Sequence, residues 1–171
     1  MAEQSMENEL EEFVGQPWWG ATRAASMLML SFGRKHEQTD RHGQVIERGA
    51  IALHVQCPWR LSDEEGILVG SDDLTRPPDD QSSIAIDSGP DSPTQADAAL
   101  DALLADKGPL IVSGVEADRL GGVRIDFHDG FRLELFPAST EAERNAEYWR
   151  FFHPDSDEAH LVVSARGAER V

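Results

Sequence analysis

The sequence predicts an α+β fold: a curved, mostly antiparallel sheet or open barrel of about seven strands, with two helices covering one face or end. Three observations carry that expectation. Apolar residues alternate with a period of two in segment after segment, as in Ile51, Leu53, Val55, Cys57 and Trp59. Only two segments carry helical spacing. The strands also follow one another through turn-forming residues, without the strand–helix–strand alternation that builds a parallel sheet.

The first element reads as a helix. Met6, Leu10, Phe13 and Val14 fall at i, i+4, i+7 and i+8, glutamates fill the other positions, Ser5 is placed to cap the start, and Gly15 with Pro17 stops it. A strand follows over 19–33, where Leu28, Leu30 and Phe32 alternate with Met27, Met29 and Ser31. Polar residues 34–43 read as a hairpin connection. The return strand runs through Ile51 to Trp59 on its apolar face, with Ala52, His54, Gln56 and Pro58 on the other. Pro58 has no N–H for a ladder, so an edge or a strand end falls there.

Residues 66–71 make a short third strand, expected to neighbour the second. The segment 72–93, with four prolines and six aspartates, reads as a long mobile connection, with Ile84-Ala85-Ile86 as a strandlet within it. Ser92 and Pro93 then suit the N-cap and first position of a second helix, whose stripe is Ala96, Leu100, Leu103 and Leu104 and whose end is Gly108-Pro109. The remainder is strand. In the hairpin at 123–136, a three-residue loop of His128, Asp129 and Gly130 pairs Phe127 with Phe131, Ile125 with Leu133 and Val123 with Leu135. A two-residue loop would mix apolar with charged partners, so the longer loop is expected, as a type I turn closed by a left-handed Gly130.

At 171 residues the chain suits a single domain, 1–171, with a core large enough to need no disulfide, and its one cysteine could form none internally. The acidic N-terminal segment lacks the basic and apolar regions of a secretory leader, and no apolar run approaches a membrane span. The expectation is a cytoplasmic protein. Asp plus Glu number 32 against 15 Lys plus Arg, a formal charge of −17. Such a field disfavours nucleic acid and anionic membranes and favours a basic protein partner, although scattered acids also simply keep a surface soluble.

Candidate chemistry is sparse. His54 and Gln56 share one strand face, and a histidine beside a carboxylate is how a general base is oriented. Arg60, and Asp72 and Asp73 after the third strand, are the residues expected to complete a small-molecule site with them. No metal or cofactor is expected: the histidines form no His-x-His or HExxH pattern, and Asp72, Asp73, Asp79 and Asp80 lack the ligand order of a calcium loop. Cys57 falls among core-facing residues, so it reads as packing rather than as a nucleophile. Trp18 and Trp19 are sequence neighbours that a strand must point in opposite directions, so one of them is a candidate partner-binding residue.

ALHVQCPWRL (52–61) with ILVGSDDL (67–74), and later GGVRIDFHDGFRLELFP with EYWRFF and HLVV, resemble a group of uncharacterised bacterial proteins sharing that order of strand motifs. The resemblance covers about half of the chain and implies no activity or catalytic residue. In layout the group is only weakly similar to immunity proteins of bacterial toxin systems. The leading expectation is a non-enzymatic, acidic binding or interaction protein, with neutralisation of a basic partner as its role. The alternatives are a small-molecule-binding or hydrolytic domain using the His54/Gln56 face, and a structural homodimer subunit.

Overall fold

The alternation from Ile51 to Trp59 holds in three dimensions. Ile51, Leu53, Val55, Cys57 and Trp59 are all buried, while His54 is half-buried and Gln56 exposed. The computed structural model describes residues 2–78, 92–140 and 146–171. Within them lie helices α1 (Ala2–Leu10) and α2 (Gln95–Lys107). The strands are β1 (Pro17–Ala24), β2 (Met27–Thr39), β3 (Val45–Val55), β4 (Trp59–Ser62), β5 (Ile67–Gly70) and β6 (Leu110–Ala117). They continue with β7 (Val123–Phe127), β8 (Arg132–Leu135), β9 (Glu147–Phe152), β10 (Leu161–Ser164) and β11 (Gly167–Arg170). All pair antiparallel in one sheet ordered β11-β10-β9-β3-β2-β1-β6-β7-β8-β4-β5.

The sheet therefore has eleven strands rather than about seven, and three of the extra strands arise as follows. The expected strand 19–33 is a hairpin, β1 and β2, turned at Ala25, which takes a left-handed conformation (φ 52°) without a glycine or asparagine to announce it. The return strand breaks into β3 and β4 around Pro58. The exposed β11 has no apolar pattern to reveal it. The hairpin connection expected at 34–43 is also shorter. Residues through Thr39 extend β2, and the reversal is made by Asp40, whose Oδ1 accepts from the amides of His42 (2.8 Å) and Gln44 (2.9 Å).

The order of strands forces the sheet to roll up. β3 stands fourth and β4 tenth, six spacings apart, which in a flat sheet is about 29 Å. Yet only Gln56, Cys57 and Pro58 separate them, and four residue steps span at most about 14 Å. At this corner the amides of Gln56 and Cys57 both donate to the Tyr148 carbonyl (2.9 and 3.0 Å), and Phe136 N donates to the Pro58 carbonyl (2.9 Å). Two residues thus oppose one, as in a β-bulge, and the chain turns from the β9 side of the sheet to the β8 side. The ladder itself stays open, with β5 and β11 as its edges.

The inner face of the rolled sheet is the core. Phe13 packs edge-on to Phe32 (centroids 4.9 Å) and against Phe151 (5.1 Å), while Trp18 lies beside Phe32 and Phe127. Met6 and Leu10 of α1 are buried with Phe13, but Val14 is not. The helix tightens into a 3-10 turn at Glu11–Phe13 and the chain extends at Val14, turning that side chain outward. The helix also begins at Ala2, so Ser5 lies inside it rather than at its cap.

Helix α2 starts two residues later than the Ser92-Pro93 signal suggests. Thr94 is its cap: Thr94 Oγ1 accepts from Asp97 N (3.3 Å) and Asp97 Oδ2 accepts from Thr94 N (2.8 Å). Asp97 wins this role because Arg23 of β1 also grips it, Nε to Oδ1 at 3.1 Å and Nη2 to Oδ2 at 3.0 Å. Burial alone would raise the Asp97 pKa, but the hydrogen bonds from Arg23 and Thr94 outweigh it and hold the group below the usual carboxylate value.

The hairpin at 123–136 has the expected register, with Val123 opposite Leu135, Ile125 opposite Leu133, and Phe127 N donating to Phe131 O (2.9 Å). Its turn differs, because Asp129 as well as Gly130 has positive φ (68° and 82°), so it is not a type I turn with one left-handed residue. His128 sits exposed at its tip. Most of the 72–93 connection, including Ile84-Ala85-Ile86 and Asp79-Asp80, lies outside the described residues, and its start is a 3-10 turn at Ser71–Thr75. Among the described residues no helix is long and apolar enough to cross a membrane.

Gly49 gives a direct test of the β2–β3 pairing. A Cβ there would lie 2.4 Å from Phe32 O, 2.9 Å from Phe32 N and 3.1 Å from Ile51 O, all backbone atoms at the shifted register between Phe32 and Lys35. Gly114, in β6, has nothing within 4 Å of such an atom. Gly49→Ala is expected to lower stability by about 1–3 kcal/mol, as overpacking does, and Gly114→Ala by much less. Chemical denaturation of both variants checks the difference.

Candidate functional site

On the outer face of β3, His54 sits opposite Met29 of β2 on one side and Arg150 of β9 on the other. Here the sheet forms a hollow of about 400 Å³ lined by Met27, His54, Gln56, Glu147, Arg150, Phe152 and His160. One register slip and one regular pairing assemble it. At Tyr148 the β9–β10 register skips a residue, since Val163 pairs with Trp149 but Ser164 with Glu147. Glu147 and Arg150, three apart and so on opposite faces of a regular strand, then meet on the same side. At the far end, reciprocal backbone bonds between His160 and Val171 (2.9 and 3.0 Å) fix His160 at the start of β10.

Arg150 is the centre of the polar set. Its Nε donates to Glu147 Oε2 at 3.0 Å, its Nη2 donates to Glu147 Oε1, and its Nη1 lies 3.1 Å from His160 Nδ1. A guanidinium only donates, so His160 Nδ1 must accept, which assigns the imidazole proton to Nε2. The His160 ring stacks on Phe152 (centroids 4.4 Å, 13° between planes), and His54 meets the same ring edge-on (4.8 Å, 88°). Both histidines titrate below the ordinary 6.5. For His54 the causes are burial first, then the charge of Arg150, with His160 and Arg48 adding smaller pushes. For His160 they are burial and then Arg150, and in both cases Glu147 opposes. At neutral pH the hollow therefore holds two uncharged imidazoles beside a fixed guanidinium.

The expected site is thus only partly assembled. His54 and Gln56 share the hollow. Arg60 does not: it lies on β4, donating to Glu134 Oε2 (2.6 Å), with its guanidinium 5.5 Å from the centre of the Phe136 ring. Arg60 belongs to a charged outer face over β4, β8 and β7, where Arg124 and Arg132 both pair with Asp126. Asp72 and Asp73 lie in the Ser71–Thr75 turn after β5. Asp73 accepts from Gly70 N (2.9 Å) and Arg76 Nη1 (3.0 Å), and the Asp72 carbonyl accepts from Thr75 Oγ1. The correction follows from the corner. The third strand neighbours β4, after the chain has turned away, and not the part of β3 that bears His54.

Trp18 is buried, with Nε1 donating to Gly20 O (3.0 Å), so it offers no partner surface. Trp19 faces outward as strand geometry requires, but it is half-buried, held through Nε1 to Gly33 O (2.9 Å) and covered by Lys35 Nζ 4.4 Å from its ring centre. Cys57 points into the core, and burial pushes its thiol up to about 12. Among the described residues no group of three or more His, Cys, Asp or Glu side chains converges to hold a metal ion. Sequence reasoning missed Glu147, Arg150 and His160. Alternation in EYWRFF places Arg150 and Phe152 on one face, but nothing local shows that this face adjoins His54.

No protein-family model, curated protein or solved structure matches the chain.

Linkage fixes the sign of one prediction. The unfolded histidines titrate near 6.5 and the folded His54 and His160 titrate lower, so below 6.5 the unfolded chain binds more protons. Their contribution to stability is complete above that value and is lost as the pH falls from it toward their folded pKa values. In thermal melts between about pH 7 and 5, His54→Gln is expected to lose less stability on acidification than the wild type. An unchanged or larger loss would contradict the buried, neutral His54 described here.

Proposed function

We propose that the protein is a non-enzymatic binding protein that recognises a small polar ligand in the hollow between His54, Arg150 and His160. One observation carries the reading. Arg150, gripped by Glu147 on one side and by His160 on the other, is fixed beside two neutral imidazoles and an aromatic ring on an otherwise outward-facing part of the sheet. Solvent-facing strand positions need no such cross-strand network, whereas binding sites are hollows with a few polar groups held in place. A hydrolytic reading has less support, because both oxygens of the lining's carboxylate, Glu147, are taken by Arg150 and so it is not placed to activate water.

Neutralisation of a basic protein partner is the second reading. The cations of the sheet are largely tied up internally, Arg60 with Glu134, Arg132 with Asp126 and Arg170 with Glu9, while the acid excess of the chain stays unmatched. That reading lacks a localised site of comparable definition.

A thermal-shift screen of small polar compounds against wild type, His54→Ala and Arg150→Met tests the first reading. A ligand at a hundred times its Kd stabilises by about 2.7 kcal/mol, which for a chain of this size raises Tm by about 5–10 °C. The expected result is a shift of that order in the wild type that both variants lose. Compounds that stabilise all three proteins equally would reject the hollow, and stabilisation by polycations alone, equal in all three, would favour the second reading.

A further inference from the structure

We infer that the hollow is selective for a small organic anion, its oxyanion held by Arg150 and His160 and its body set against Phe152 and Met27. The inference rests on the ligand-binding reading above and adds the charge of the ligand to it. The donor inventory supplies the first argument. A guanidinium carries five N–H groups, and three of those on Arg150 are engaged, two by Glu147 and one by His160. Two remain, together with the Nε2–H that the same contact assigns to His160. The hollow thus presents spare donors, whereas its one carboxylate, Glu147, has both oxygens taken by Arg150.

Charge gives the second argument. Arg150, His160 and Arg48 all push His54 toward its neutral form, against a single opposing carboxylate, Glu147. Arg48 enters no ion pair among the described residues, and its Nε is buried without a hydrogen-bond partner. The cationic groups acting on His54 thus outnumber the acids acting on it, in a chain whose formal charge is −17. A bound anion would favour the same guanidinium that holds His54 neutral.

Shape gives the third. A hollow of about 400 Å³ falls at the small end of ligand sites, and Met27 and Phe152 supply apolar wall beside the donors. A bare inorganic ion would leave that wall uncovered, so a carboxylate on a compact apolar or aromatic body fits better than phosphate alone.

Benzoate, its neutral isostere benzamide, and inorganic phosphate are the probes, titrated at constant ionic strength against the full chain while the ring signals of His54 and His160 are followed by NMR. Benzoate is expected to shift both histidines saturably and to raise their pKa values. It should bind about tenfold or more tightly than benzamide, the difference a charge-assisted hydrogen bond makes. Arg150→Met should abolish that preference, and His160→Phe, which keeps a ring stacked on Phe152 but removes the donor, should reduce it severalfold. Phosphate binding more tightly than benzoate would move the assignment to a phosphate-type oxyanion and overturn the organic body. Benzamide binding as well as benzoate would overturn selectivity for an anion and leave the hollow a ligand site. If neither compound binds, both the anion and the hollow fall together. A preference for benzoate that survives both substitutions would also overturn the assignment.

Discussion

Between Val55 and Trp59 the chain leaves one arm of the sheet and enters the other, and the rest of the molecule is arranged around that passage. Pro58 cannot donate to a ladder, so the strand has to be interrupted. The hydrogen bonds displaced by the interruption are recovered around it: Tyr148 O accepts from two consecutive amides, and Pro58 O accepts from Phe136 N. Every backbone group kept paired at such a buried bend avoids a cost comparable to a lost hydrogen bond. Side-chain alternation survives the bend, so Val55, Cys57 and Trp59 all remain inside. A sheet whose fourth and tenth strands are joined by three residues has one option, which is to roll up and enclose a core.

The same passage separates two outer faces of different character. Beyond the bend, β4 joins β8 and β7, and there Arg60, Glu134, Arg132, Asp126 and Arg124 neutralise one another in the open. Exposed pairs of this kind contribute little to stability and leave few groups wanting partners. Before the bend, β3 lies against β9, whose irregularity at Tyr148 brings Glu147 round to Arg150 and leaves the guanidinium with donors to spare. Tyr148 is therefore shared. Its carbonyl anchors the corner, and its displacement from the regular ladder builds the hollow. Fold and candidate site depend on the same few residues.

Much of this was legible in the sequence where a local rule had one solution. The period-two run to Trp59, the strand end at Pro58 and the register of the 123–136 hairpin each follow from side-chain alternation alone. Loops without turn residues were not legible. Ala25 reverses the chain in a left-handed conformation that sequence preference assigns to glycine or asparagine, and so two strands read as one. Nor was the site complete on the page. His54 and Gln56 are visible on a polar strand face, but their partners Glu147, Arg150 and His160 stand about a hundred positions away and arrive through strand pairing, and one of them through a register slip. The residues nearest in sequence, Arg60, Asp72 and Asp73, were carried off by the corner instead.

The central claim is that the hydrogen bonds of the Gln56–Pro58 corner make it the joint that holds the sheet rolled, and residue-resolved amide hydrogen exchange tests it most directly. If the claim is right, the amides of Gln56, Cys57 and Phe136 exchange as slowly as those of Leu53 and Val55 in the centre of the sheet, opening only when the whole fold opens. Exchange at these three positions orders of magnitude faster than in β3, under the same conditions, would mean that the corner is a loose crossing. The account of how the sheet and its hollow are held would then be wrong.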